Sequence, residues 1–215
     1  MNSDLAFFCA LPVRLELDAS QARWTKRSLL WSITGALPNI SEVDQQTCYT
    51  VAWSFWQAIC GIGTTYTDTA RNADVRMGSG PIDGRGQVLA WSELPNGADG
   101  PLQQKYDTGD SWSATLDVEH IPAGLIPLLV TSAHEIGHAL GLGHSTNPVD
   151  LMYPTLNTRS LGRPQAGDIR EAQARYGPPG PVPTPPPTPK PTEKLVLTLL
   201  PNEKVILIPP GWKAT

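Results

Sequence analysis

Residues 134–144 read His134-Glu135-Ile136-Gly137-His138-Ala139-Leu140-Gly141-Leu142-Gly143-His144, and no other run constrains the chain as much. It fits the pattern H-E-x-x-H-x-x-G-x-x-H, in which each fixed position has a physical task. His134 and His138 stand four apart, so on a helix they share one face and can grip one ion. Gly141 lets that helix end in a left-handed turn that a Cβ would resist. The chain then folds back and returns His144 to the same point. Three imidazoles leave the fourth position of a tetrahedral zinc ion open for water, which marks a catalytic rather than a structural site. Glu135, beside the first ligand, is placed to take a proton from that water.

Ser145 follows the third histidine directly, and Leu151-Met152-Tyr153-Pro154 places a methionine eight residues beyond His144. This combination resembles the metzincin clan, whose methionine turn forms an apolar floor under the zinc ligands. Within that clan it looks like the matrixin family of matrix-metalloproteinase-like endopeptidases. The resemblance runs through most of residues 9–177. Arg23-Trp24-Thr25-Lys26 with Leu29-Leu30-Trp31-Ser32-Ile33-Thr34 is similar to the family's first strand, and Ala73-Asp74-Val75-Arg76-Met77 to its third. Leu89-Ala90-Trp91 sits where the family has its upper-rim strand. Asp168-Ile169-Arg170-Glu171-Ala172-Gln173-Ala174-Arg175-Tyr176-Gly177 looks like its closing helix.

The resemblance implies an α/β (α+β, zincin-like) fold: a twisted mixed β-sheet with three helices, the active-site helix under the sheet. It implies a protein or peptide substrate lying along the rim strand and adding to the sheet edge. It also implies a primed-side pocket between the helix near Val130 and the Met152-Tyr153-Pro154 segment, and an extracellular location.

Departures from the family carry information too. Animal matrixins typically hold a second, structural zinc on a long loop with three histidines and an aspartate. Here Gly78 to Gly86 is too short for that loop, and Trp91 and Lys105 stand where two of those histidines would be. The four histidines are His120, His134, His138 and His144. One zinc per chain is therefore expected. A calcium site fits better: Asp83-Gly84-Arg85-Gly86-Gln87-Val88, with Asp107 and Asp110, resembles the family's calcium loop. There the ligands would be carboxylates of Asp83, Asp107 and Asp110 and carbonyls of Gly84, Gly86 and Val88, the hard oxygens that calcium takes. Asp-Gly pairs are also ordinary turn residues.

Cys9-Ala10-Leu11-Pro12 resembles the family's Cys-Gly-x-Pro switch, whose thiolate fills the fourth zinc position. Ala10 replaces the glycine, Val13 stands where an aspartate is usual, and eight residues precede Cys9, so no full propeptide domain is expected. Packing as a buried apolar cysteine is the alternative outcome, and the favoured one. Cys48 and Cys60 lie twelve apart in what reads as one helix, about 18 Å along its axis, so they do not pair.

Composition agrees with one compact enzyme domain and a tail: 215 residues, 40% hydrophobic, 17% charged, net charge −4. That balance leaves no basic footprint for nucleic acid, and no run approaches a membrane span. Leu5 to Val13 is apolar but lacks a preceding Lys or Arg and a clear cleavage site, so it is a poor signal peptide.

Periodicity predicts a strand over 28–36 and a helix over 42–60 opened by Ser41 with Asp44. Its apolar stripe would be Cys48, Ala52, Phe55, Trp56 and Ile59. Short strands follow near 63–69, 73–78, 87–92 and 103–107. A helix over 124–140 carries two ligands, its inner face formed by Leu125, Leu128, Leu129 and Ser132. A last helix starts after Pro164 and stops at Gly177-Pro178.

Four segments result: residues 1–22, an N-terminal latch-like segment; 23–177, the catalytic domain; 178–193, a Pro/Thr-rich polyproline spacer; and 194–215, a short β-hairpin suited to surface or partner docking. Two further function classes stand beside the zinc endopeptidase. One is a metal hydrolase acting on cell-wall peptides, and the other a non-catalytic zinc-fold binding module.

Overall fold

The computed structural model describes residues 8–9, 23–156, 160 and 162–180. Its strands are β1 (Phe8–Cys9), β2 (Ser28–Ile33), β3 (Gly63–Tyr66), β4 (Val75–Gly80), β5 (Val88–Ser92), β6 (Leu102–Asp107), β7 (Trp112–Ser113) and β8 (Ile126–Pro127). The helices are α1 (Glu42–Gln57), α2 (Leu128–Ala139) and α3 (Ala166–Tyr176). By backbone contacts the chain divides into Met1–Pro181 and Val182–Thr215. The expected spacer beyond Gly180 and the hairpin at 194–215 lie outside the described residues.

β2 leaves the sheet into α1 and the chain returns as β3, parallel to β2, the crossover that parallel pairing requires. The full order is β1-β5-β6-β4-β2-β3. All neighbours are parallel except β5, which runs antiparallel to β6 with Trp91 opposite Lys105. The sheet is therefore mixed, and with three helices it is the expected α+β architecture.

At the outer edge, β1 pairs in parallel with β5, Phe8 beside Val88 and Cys9 beside Ala90. A short second sheet joins β7 to β8. Among the described residues no helix is long and apolar enough to cross a membrane.

α1 begins where Ser41 accepts from the Asp44 N–H at 3.1 Å. It buries Cys48, Tyr49, Ala52, Trp53 and Trp56, while Phe55 and Ile59 of the expected stripe are only partly covered. Trp31 of β2 stacks on Trp53 and meets Tyr49 and Tyr66 edge-on. Cys48 and Cys60 are both buried and free; burial pushes each thiol up to about 11.

Several element boundaries differ from expectation, β3 ending at Tyr66 rather than 69 and β4 running over Val75–Gly80 rather than 73–78. β2 stops at Ile33, and α1 stops at Gln57, so Cys60 lies beyond its end. α2 starts at Leu128 rather than 124. Pro127 disfavours helical backbone at Ile126, which instead pairs with Trp112. Leu125 is consequently outside the helix, and it is only half-buried.

All twelve residues of α2 are buried, which leaves its polar backbone dependent on protein partners. Four side chains supply them. Trp56 Nε1 donates to the Ala133 carbonyl at 2.9 Å and Gln104 Nε2 to that of Glu135 at 2.8 Å. At the carboxyl end Trp24 Nε1 reaches Ala139 and the Tyr176 hydroxyl reaches Leu140, both at 2.8 Å. The helix that carries His134 and His138 is thus fastened from β6, α1, α3 and the segment before β2.

Candidate metal centre

His134 and His138 lie one turn apart on α2, with ring centroids 4.8 Å apart. Gly141, at φ 89°, turns the chain out of the helix, and His144 comes to 5.5 Å from the ring of His134 and 4.8 Å from that of His138. One nitrogen from each ring falls within 4.8 Å of the others. Among the described residues, this is the group of three histidine, cysteine or acid side chains whose ligand atoms converge this closely.

Two hydrogen bonds orient the rings. His134 Nδ1 lies 2.8 Å from the Leu151 carbonyl and His138 Nδ1 2.8 Å from that of Leu142. A carbonyl only accepts, so each Nδ1 carries the proton and each Nε2 presents its lone pair. The Nε2 atoms of all three histidines are buried without a hydrogen-bond partner. Buried polar atoms left this way are costly, and a divalent cation at their common focus satisfies all three. Zinc, with its preference for tetrahedral nitrogen ligation, fits this donor set.

Burial lowers the pKa of His134 to about 4. It also pulls His138 well below the usual imidazole value and lowers His144. The three imidazoles are therefore held neutral, the form that binds metal. Glu135 lies beside His134 on α2 and is fully buried.

Met152, 1% exposed, packs against α2 at Gly137. Its seat depends on Gly137: a Cβ there would overlap Met152 Sδ and come within 2.9 Å of Trp56 Cζ2. The turn containing Met152 is held from α3, where Asp168 accepts from the N–H groups of Leu151 at 2.8 Å and Met152 at 3.1 Å. Burial raises the Asp168 pKa, against the pull of these bonds and of the Gln165 N–H. Sequence reasoning missed Asp168, Gln104 and the room that Gly137 makes for Met152. Only the glycine carried a signal, since glycine inside a helix needs a packing reason.

The expected calcium residues occupy two segments that the sheet brings together. Asp83, Gly84 and Gly86 lie in the loop between β4 and β5, Val88 opens β5, Asp107 closes β6 and Asp110 follows it. The Asp107 carboxylate accepts from the N–H groups of Ile82, Asp83 and Gly84 at 3.1, 3.3 and 3.0 Å. Burial opposes its charge, but these bonds and one from Gly109 hold its pKa below the usual value. Asp110 accepts from Gly86 at 2.9 Å through Oδ1, while its Oδ2 is buried without a partner. Burial raises its pKa, and the charges of Asp107 and Asp83 raise it further. Asp83, Asp107 and Asp110 do not converge as the three imidazoles do.

Lys105 and Trp91 face each other across β5 and β6, and Lys105 Nζ donates to the Pro81 carbonyl at 2.8 Å. The backbone of Phe8–Cys9 lies on the rim edge; the Cys9 side chain, and with it the expected choice between thiolate switch and packed cysteine, lies outside the described residues.

The Matrixin family model matches residues 23–177. Matrix metalloproteinase-18 of Xenopus laevis is 31% identical over 170 residues, covering 74% of this chain and 34% of that protein. Matrix metalloproteinase-20 of Homo sapiens is 28% identical over 184 residues, covering 79% of this chain and 36% of that protein. A macrophage metalloelastase of Rattus norvegicus is 28% identical over 194 residues, covering 80% and 37% respectively. The chain thus spans about a third of the length of the curated relatives it matches.

Proposed function

Because this chain belongs to the matrixin family, we propose that it is a zinc-dependent endopeptidase in which His134, His138 and His144 hold one catalytic zinc. The observation that carries the reading is the convergence of three buried, unpartnered Nε2 atoms. Zinc bound there supplies Lewis acidity, polarising the scissile carbonyl and lowering the pKa of water towards neutrality.

The remaining work falls to the protein. Glu135 accepts the proton of the attacking water and delivers it to the leaving nitrogen. Met152 and Leu151 form the floor: the Leu151 carbonyl orients the His134 ring. β5 receives the substrate backbone along Leu89-Ala90-Trp91 as an added strand, and the space between Val130 and Met152-Tyr153-Pro154 takes a primed-side side chain. Residues 8–9 stand on that same edge, which supports reading residues 1–22 as a latch over the cleft. The location proposed is extracellular, the setting of proteolysis in an extracellular matrix.

Digestion of an unbiased peptide library tests this. Cleavage at internal peptide bonds, abolished by a chelator and restored by zinc, is the expected result. Release of cell-wall peptides without cleavage of unfolded proteins would move the substrate class to the cell wall. Binding without turnover of either would make the chain a zinc-fold binding module.

Calcium is the second cofactor proposed, on Asp83, Asp107, Asp110 and the carbonyls of Gly84, Gly86 and Val88. The buried, unpartnered Asp110 Oδ2 among like charges supports it. Calcium should raise the melting temperature of wild type and not of Asp110→Asn; an equal rise in both removes the site. The Pro/Thr-rich segment 178–193 is proposed as a spacer and 194–215 as a docking hairpin. Truncation after Gly177 should leave cooperative unfolding intact, because α3 closes before Pro178.

A further inference from the structure

His134 and His138 ride on a rigid helix, and each ring is oriented by a backbone carbonyl. His144 has neither support. It lies in irregular chain beyond Gly141, and its ring has no corresponding bond among the described residues. One side of its segment borders an open cleft of ≈ 410 Å³, lined also by Ser145, Asp150, Gly167, Asp168 and Arg170. Packing alone does not fix the third ligand.

What does fix it is Ser145, the next residue. Its N–H donates to the Met152 carbonyl at 2.8 Å, and its hydroxyl donates to Asp150 Oδ2 at 2.7 Å. Asp150 is 3% exposed, and Asn147 Nδ2 reaches its other oxygen at 3.4 Å. The carboxylate rests directly over the Cα of Gly167, in the first turn of α3. A Cβ at residue 167 would collide with Oδ2 and stand 2.7 Å from Cγ and 2.9 Å from Oδ1. Residue 167 must be glycine for Asp150 to lie where it does, and Asp150 must lie there to receive the Ser145 hydroxyl.

We infer that Asp150 is a positioning residue for the third metal ligand: through Ser145 it holds the His144 segment against the first turn of α3, in a place that only Gly167 leaves open. The inference rests on the reading of the three histidines as zinc ligands. Partners one step removed from a metal typically change its affinity by 10- to 100-fold, and a ligand on irregular chain is where such support counts most.

The test uses the full chain and measures zinc affinity by competition with a chromophoric chelator, together with the visible absorption of the cobalt-substituted protein. Asp150→Ala should weaken zinc by roughly 10- to 100-fold and diminish the tetrahedral cobalt bands. Asp150→Asn, which keeps an oxygen acceptor for Ser145, should restore most of that loss. Ser145→Ala should weaken zinc, and adding it to Asp150→Ala should add little, because both remove one link.

Gly167→Ala supplies an independent lever. It favours the helix by propensity, yet it should reproduce the affinity loss by displacing the carboxylate. If Asp150→Ala does not fold, Gly167→Ala and Ser145→Ala carry the test. Wild-type affinity and cobalt spectrum in the folded variants overturn the inference, even where melting temperature falls. A wild-type chain that takes up no zinc overturns the underlying reading instead.

Discussion

Gly137 Cα and Met152 Sδ face each other with no room for a side-chain carbon between them. The middle of the H-E-x-x-H turn and Met152 thus form a single contact, made by residues from separate parts of the chain. Alanine at 137 should destabilise the protein, although alanine is the better helix former by about 1 kcal/mol. Overpacking a filled core typically costs about 1–3 kcal/mol, and here the backbone, the methionine and Trp56 must all yield. Chemical denaturation measures the difference; a more stable Gly137→Ala would show that the contact is not tight.

Glu135→Gln keeps the shape of the side chain and removes its capacity to accept a proton. Turnover should fall on the order of 10²–10⁴-fold, the usual share of general acid–base help, while metal analysis still finds one zinc per chain. Near-normal turnover in this variant would assign the base elsewhere.

Acid should act through the three imidazoles. All three have folded-state pKa values below the ordinary one, His134 near 4 from a reference of 6.5. As pH falls through that reference the unfolded chain binds protons that the fold refuses, so stability falls with pH. The metal-free protein should lose melting temperature progressively from about pH 6.5 towards pH 4, and the loaded protein should release zinc on acidification. A melting temperature flat across that window would contradict the burial of the three histidines.

Residues 8–9 pair with β5, the strand proposed above to receive the substrate backbone. Removing residues 1–22 should therefore raise kcat/KM by roughly 5- to 30-fold, the worth of one or two backbone hydrogen bonds at about 1 kcal/mol each. Cys9→Ser alone should leave activity unchanged. Activation by Cys9→Ser would instead place the block in the thiol.

The three-histidine cluster is legible in the sequence because metal chemistry prescribes residue type and spacing within eleven consecutive residues. The individual strands and helices follow from periodicity, since each element reports its own buried face, while the mixed sheet is implied by the family resemblance. What escapes is whatever depends on a partner that the fold selects. Asp168 reads as an ordinary first-turn acid, yet it grips Leu151, 17 residues earlier. Asp150 reads as a loop residue, and its role appears only when Gly167 is seen beneath it. Gln104 looks like a polar residue on a strand, yet it is 2% exposed and supports the Glu135 backbone across 31 residues. α2 starts later than the spacing of Leu125 and Leu128 predicts because Pro127 interrupts that helical pattern.

Trp24, Trp56, Gln104 and Tyr176 close the carbonyls of α2 from four directions, and none of them is a ligand. Two of the three imidazoles are thus set in place by interactions that need no ion. In small zinc modules the ion must repay the entropy of ordering the chain, and chelation unfolds them. Here that entropy is spent on the tryptophans, the glutamine and the tyrosine during folding itself. Stripping the metal should leave a folded protein that recovers its ion by simple recombination, a behaviour set by residues that never touch it.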